Sequence, residues 1–208
     1  NNNFYFYNNK KIELVMPINK IKVPGYHNLA NIAAAICVAK ILKISNKKIE
    51  QVVNKFKGID YRLQFLGKYK NIKIFNYATA STPDAAMAAI SAMNDKNLLL
   101  IAGGEDKVLD YKPLAKLIKQ KVSKLILLSG SGSKKLLDEL KKIKYNNKQI
   151  IFNVKDLPTA WKLAKQNIEA KEVILFSPAA SSFNMFINEF ERARVFETLV
   201  KNDQKKTK

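Results

Sequence analysis

From Tyr61 to the C-terminus, five short apolar runs alternate with helical stretches, and few folds accommodate that rhythm. The runs are IKIF (72–75), LLLIAG (98–103), KLILLSG (124–130), QIIF (149–152) and EVILFS (172–177). Helices are predicted between them near 83–93, 110–121, 133–143 and 156–168, and a last helix over 183–200. Parallel strands need a crossover connection, and a helix supplies it, so this alternation predicts an α/β fold with a mostly parallel sheet. The runs are almost wholly apolar, as strands covered on both faces must be. In such sheets ligands bind beyond the carboxyl ends of the strands. Those ends read NYATAST, GGEDK, SGSGS, NVKD and SPAASS, mostly small and polar residues that let backbone approach a ligand.

The first sixty residues follow a different pattern. FYFY and KIELVMPI alternate as two short strands, with a hairpin expected across Asn8-Asn9. GYHNLANIAAAICVAKILKI reads as a helix that puts Leu29, Ile32, Ala33, Ile36 and Cys37 on one face. A second helix, capped by Ser45 or Asn46, is expected to run through Phe56 and to end at Gly58. These pieces could not close a fold alone. The boundary is therefore placed between Phe56 and Arg62, with 1–59 as the tail of another α/β domain and 60–208 as a domain of its own. The terminal KNDQKKTK is expected to fray.

The formal net charge is +20, yet arginine occurs only at Arg62, Arg192 and Arg194. The lysines are spread over almost every helix, without a compact basic stripe, so solvated faces are expected rather than a nucleic-acid surface. The single Cys37 cannot form an internal disulfide and is expected to be a buried, inert thiol, which fits a cytoplasmic setting. No apolar run is long enough to span a membrane. With one His and one Cys, no His/Cys metal cluster is expected. No GxxxxGK[ST] phosphate loop occurs, and GSGSKK carries Lys135 where a dinucleotide fingerprint needs glycine. That segment reads as a strand-to-helix turn with a serine cap at Ser133.

Several residues remain as candidates for chemistry. In FNYATASTPDAAMAAI, Thr82 reads as an N-cap and Pro83 as the first helical residue. Thr79, Ser81 and Thr82 then lie close to free backbone N–H groups. Asn28 and Asn31 share a helix face, where they could read a purine or ribose, or cap the helix. Arg62 suits a phosphate or a surface ion pair. Lys107, in a loop after a buried strand, suits a carboxylate or phosphate. Ser181 and Ser182 are expected at the start of the last helix, where an anion is favoured.

These segments, in order and spacing, carry a resemblance. GYHNLANIAAA, YRLQ, FNYATASTPDAAMAAI, IAGGEDK and LFSPAASSFNMFINEFERARVF together resemble the C-terminal half of a Mur ligase. The SPAxxSFxxF ending is the most specific piece and fits the branch that adds D-glutamate. The resemblance implies the tail of a central ATP-binding domain followed by a Rossmann-like C-terminal domain. It implies a monomeric, cytoplasmic ATP-dependent amide ligase. It also implies ATP, Mg, D-glutamate and UDP-N-acetylmuramoyl-L-alanine as partners, with no nucleic acid and no membrane. The phosphate loop and metal ligands would belong to the missing part of the central domain, so the chain alone is not expected to catalyse. By the same resemblance Asn28, Asn31 and Arg62 contact ATP, while Ser81, Lys107, Ser182 and Phe183 bind D-glutamate. The chain departs from the family pattern at several positions: Thr79 replaces the lysine of the common version, Ser81 stands for a threonine, and an aromatic contact is displaced by one position to Phe190. Tyr61 stands for a histidine, Tyr77 for a nucleotide-contacting aspartate, and Arg192-Ala193 for Arg-Gly. Tyr77 keeps a degenerate, non-catalytic binding module as the alternative.

Overall fold

The computed structural model describes residues 2–8, 11–93, 97–145, 150–169 and 173–206. The chain forms two compact units, Asn1–Gly58 and Ile59–Lys208.

In the first unit, β1 (Asn3–Asn8) pairs antiparallel with β2 (Lys11–Pro17). The expected turn includes Asn9, which lies outside the described residues. A 3-10 turn (Ile18–Lys20) leads to α1 (Tyr26–Ile41) and α2 (Asn46–Lys55). Val15, Met16, Val23, Ile32, Ile36 and Ile49 form a small core. Cys37 is exposed, not buried as the sequence suggests. The reason is that α1 is apolar almost all round, so periodicity does not fix its buried face. The i, i+4 pair Ile32 and Ile36 turns inward, and Cys37 turns out. Ser45 holds the N-cap position of α2 without a side-chain bond. Asn46 spends its amide on the Leu14 carbonyl (2.9 Å) and on Glu13 (2.8 Å), which ties α2 to β2.

The second unit is a six-stranded sheet in the order β3-β4-β8-β5-β6-β7. Its elements are β3 (Gln64–Tyr69), β4 (Ile72–Asn76), α3 (Pro83–Ala92), β5 (Leu98–Ala102), α4 (Lys112–Lys121) and β6 (Val122–Leu128). They continue with α5 (Ser131–Lys142), β7 (Ile150–Val154), α6 (Leu157–Asn167), β8 (Val173–Phe176) and α7 (Glu189–Lys206). All pairings are parallel except β3 with β4. The predicted α/β class and mostly parallel sheet are thus observed.

Strand alternation divides the core into two layers. Leu98, Leu100, Val173 and Leu175 face α3, α4 and α5, alongside Ala86, Leu114 and Leu136. Leu99, Ile101, Ile174 and Phe176 face α6 and α7, alongside Trp161 and Phe196. The chain winds outward from β5 through β6 to β7, then returns through α6 to insert β8 between β4 and β5. That reversal makes a topological switch point at the carboxyl ends of β4, β8 and β5, the place where ligands bind in such sheets.

Two elements differ from the sequence expectation. β3 was not anticipated because it is a half-exposed edge, interrupted where Gly67 (φ +97°) breaks the register. Its hairpin turns on Lys70 and Asn71, both left-handed, the conformation two-residue turns demand. The last helix begins at Glu189, not at residue 183, and reaches Lys206. The Asn188 side chain accepts from Glu191 N–H (2.9 Å), and Glu191 accepts from Ile187 N–H (2.7 Å), a capping pair that fixes the start. At its far end Gln204 donates to the Leu66 and Lys68 carbonyls, so residues 201–206 are held rather than frayed.

Candidate functional site

Three loops leave these strand ends: 77–82 after β4, 103–111 after β5 and 177–188 after β8. Backbone bonds knit them together. Ala179 N–H donates to the Ala80 carbonyl (2.8 Å), and Gly103 N–H donates to the Pro178 carbonyl (2.7 Å). Glu105 and Ser181 exchange both backbone bonds in an antiparallel bridge (3.2 and 2.9 Å). Gly104 makes the bridge possible. Its φ is +142°, and a Cβ there would lie 2.2 Å from the Ser181 carbonyl oxygen.

On this platform the structure brings Lys107 and Ser81 together, with Lys107 Nζ donating to Ser81 Oγ at 3.2 Å. Among the described residues Lys107 has no carboxylate partner. Ser182 is buried beside the bridge, and its carbonyl accepts from Met185 and Phe186 N–H. Ser181 and Ser182 therefore sit in a turn seven or so residues before α7, not at its first turn. Phe183 projects into solvent, 71% exposed.

The neighbouring helix ends offer little to an anion. Thr82 caps α3 as predicted, accepting from Ala85 N–H at 3.3 Å, but Pro83 has no N–H and Asp84 brings a negative charge. At α5, Gly130 occupies the N-cap position, and Glu105 accepts from both the N–H and the hydroxyl of Ser131. The SGSGS turn is therefore occupied by the protein's own carboxylate. Ser133 is not a cap. It is buried, donates to the Leu128 carbonyl (2.5 Å) and accepts from Gly104 N–H (3.2 Å).

Asp106 is committed as well. Burial would raise its pKa, but Leu109 N–H and the Lys135 ammonium outweigh that and hold it below the usual range. Burial, with Asp106 and Glu105 nearby, pushes the Tyr111 hydroxyl well above its ordinary value, so it stays a donor to the Ala179 carbonyl. Lys107, without a carboxylate partner among the described residues, is a cation suited to a carboxylate.

Arg62 is exposed, on a turn held unusually firmly. Its neighbours Tyr61 (φ +64°) and Leu63 (φ +54°) are both left-handed, a costly conformation for non-glycine residues. Gln64 accepts from Tyr61 N–H (3.1 Å), and Thr79 donates to the Tyr61 carbonyl (2.9 Å). Burial and the Glu197 carboxylate raise the Tyr61 hydroxyl above its ordinary pKa. Tyr77 is buried in the core, 7% exposed. In the first unit Asn28 donates to the Pro24 carbonyl at 2.6 Å, while Asn31 is exposed. Among the described residues no group of three or more His, Cys, Asp or Glu could hold a metal ion. No described helix is long and apolar enough to cross a membrane.

Arg192, which the resemblance matches to the arginine of the family's Arg-Gly pair without giving it a role, is 1% exposed. It donates to the Ala78 carbonyl through Nη2 (2.7 Å) and to the Ala180 carbonyl through Nη1 (3.2 Å). Burial pushes its pKa down to about 10, with Glu189 opposing, so it remains charged at neutral pH. Asn76, also buried, accepts from Ala78 N–H and donates to the Ala193 carbonyl, both at 3.1 Å. The available signal was the scarcity of arginine in so lysine-rich a chain.

A mostly parallel six-stranded sheet with helices on both faces, and three small polar loops bonded together beyond its strand ends, defines a Rossmann-like α/β domain. Residues 61–180 match the family model described as Mur ligase, glutamate ligase domain. The chain is 36% identical over 96% of its length to a UDP-N-acetylmuramoylalanine–D-glutamate ligase of Aquifex aeolicus. It is likewise 36% identical over 92% of its length to that of Thermoanaerobacter sp.. It spans 46% and 42% of those relatives, less than half of each. Among solved structures it resembles UDP-N-acetylmuramate-alanine ligase of Thermotoga maritima (TM-score 0.65, 20% identity, 88% of this chain and 39% of that one). MurF of Acinetobacter baumannii is similar (TM-score 0.66, 17% identity, 98% and 42%). The chain belongs to the Mur ligase family.

Proposed function

We propose that this chain is the C-terminal part of an ATP-dependent ligase that adds D-glutamate to UDP-N-acetylmuramoyl-L-alanine, a step in peptidoglycan precursor synthesis. Residues 60–208 present D-glutamate, and 1–59 are the end of the ATP-binding domain. The observation that carries the reading is Lys107 beside Ser81, without a carboxylate partner, at the edge where β4, β5 and β8 end. Lys107 and Ser81 take a carboxylate of D-glutamate, and Ser182 and the Phe183 backbone fix the same amino acid. Arg62, on its clamped turn, contacts the phosphates of ATP, and Asn28 and Asn31 contact the nucleotide.

ATP is a substrate in this chemistry. It phosphorylates the carboxylate of the UDP-sugar peptide, and the amine of D-glutamate displaces phosphate. The work left to these residues is positioning and charge neutralisation. No step is assigned to Mg here, since no described group of three or more His, Cys, Asp or Glu could hold a metal ion.

The test is a D-glutamate titration of the 208-residue chain followed by NMR. Shifts should concentrate at Ser81, Lys107 and Ser182, and L-glutamate should bind more weakly. Absence of shifts at these residues at millimolar D-glutamate would refute the reading. A second reading, a binding module without catalysis, is favoured by Tyr77, which is buried where the family pattern has an acidic ligand. It predicts D-glutamate binding but no ADP release when the chain is joined to a Mur ligase N-terminal half.

A further inference from the structure

A buried arginine usually faces a carboxylate, and Arg192 does not. Among the described residues it forms no ion pair, and its two bonds go to neutral carbonyls on different loops. Its Nε is buried without a partner. So is the hydroxyl of Ser177, at the start of the β8 loop. Desolvating a charge in this way is unfavourable, and an apolar side chain of similar volume often serves a fold as well or better. The cost therefore calls for a reason in addition to packing.

The reason lies in which carbonyls Arg192 holds. Ala78 precedes Ser81 by three residues, and Ala180 precedes Ser182 by two. The same Ala78 peptide gives its N–H to Asn76, so both its polar groups are fixed from within the protein. The Ala180 side of the grip is continuous with the Ser181–Glu105 bridge, two residues from Lys107. One guanidinium thus ties together the backbone that carries all three polar side chains of the candidate site. The guanidinium makes these two bonds from separate nitrogens, Nη1 and Nη2, held in one rigid plane, and it keeps its charge at neutral pH. A lysine ammonium would have to reach both carbonyls from a single nitrogen on a flexible stem, which fixes their separation less firmly.

We propose that Arg192 is a positioning residue for amino-acid binding. It holds the Ser81 and Ser182 loops in one arrangement and leaves an unneutralised positive charge behind a site that receives a carboxylate. This rests on the D-glutamate reading above. Arg192 touches no ligand and acts through the Ala78 and Ala180 carbonyls.

The test compares the wild-type chain with Arg192→Lys and Arg192→Met by amide hydrogen exchange without ligand, and by D-glutamate titration. In Arg192→Lys, exchange should rise about tenfold or more in 78–82 and 179–183 while the strands β5 and β8 stay protected. D-glutamate affinity should fall about tenfold in Arg192→Lys and further in Arg192→Met. Loop exchange unchanged in Arg192→Lys overturns the proposal. So does affinity within twofold of wild type, or a rise in exchange spread evenly over the sheet, which is the mark of a purely structural role. If Arg192→Met does not fold, Arg192→Lys decides alone. If the wild-type chain binds no D-glutamate, the proposed substrate fails, while the exchange of the two loops still decides whether Arg192 holds them.

Discussion

Gly104→Ala attacks the platform at its tightest point. At φ +142° an alanine is strained by about 1–3 kcal/mol before any contact is considered. Its methyl would then lie 2.2 Å from the Ser181 carbonyl oxygen, far inside van der Waals contact. That oxygen belongs to backbone bridged to Glu105, so it cannot swing aside as a side chain could. Relieving the overlap breaks the two Glu105–Ser181 bonds, worth about 0.5–1.5 kcal/mol each. The total is about 2–6 kcal/mol. For a unit the size of Ile59–Lys208 the middle of that range corresponds to a fall in Tm of about 8–16 °C. D-glutamate binding should weaken more than stability alone accounts for, because the bridge ties the loop that carries Lys107 to the loop that carries Ser182. The control is Gly67→Ala, where φ is +97° but the methyl meets only the end of the Gln204 side chain at 3.1 Å. It should lose about 1–3 kcal/mol and keep its ligand affinity. Thermal melts by circular dichroism, paired with calorimetric titration, measure both quantities. Equal losses in the two variants, or full binding by Gly104→Ala, would show that the close approach does not organise the site.

Other substitutions test other parts of the reading. Lys107→Met should lower D-glutamate affinity about tenfold to a hundredfold with little change in Tm, and Ser81→Ala should lower it less; calorimetric titration measures both. Asp203→Asn should cost about 1–2 kcal/mol at pH 7, since its carboxylate takes bonds from Lys165 and Trp161. The bond from Lys165 foremost holds the Asp203 pKa below the usual range. Its contribution is therefore present above the unfolded value of about 3.9 and is lost as pH falls through the lower folded value. Urea titrations at pH 7 and in acid should show the wild-type advantage shrinking below about pH 4. Tyr77→Asp should destabilise the second unit by about 3–5 kcal/mol in urea denaturation, because it opens a cavity in the core and buries a carboxylate. It should not create a nucleotide contact, and a gain in ATP-dependent activity would refute the buried placement.

How much of this was readable from sequence depended on burial. β5 is buried at every residue, so its apolar run could hardly be anything but a central strand. β3 buries only Leu66 and carries a left-handed glycine, so its pattern is too weak to separate from loop. The start of α7 failed for the opposite reason. Phe183, Ile187 and Phe190 have helix-like spacing, yet they are 71, 80 and 50% exposed, and the capping pair Asn188–Glu191 sets the true boundary. Spacing reports a helix face only where there is a core to receive it.

The site divides in the same way. Ser81, Lys107 and Ser182 each sit in a small polar loop at a strand end, so local sequence could nominate them. Their support could not be nominated locally. Arg192 reaches Ala78 across 114 positions and Ala180 across 12, and Asn76 reaches Ala193 across 117. No short window of sequence contains the pairs Arg192–Ala78 and Asn76–Ala193. They exist because α7 returns over the sheet after β8 has been inserted between β4 and β5. Inserting β8 beside β4 brings the two loops together, and α7 then delivers the guanidinium that binds them. In this fold the residues that could touch a ligand are marked by their local sequence, and most of the bonds that hold them in place reach across the chain.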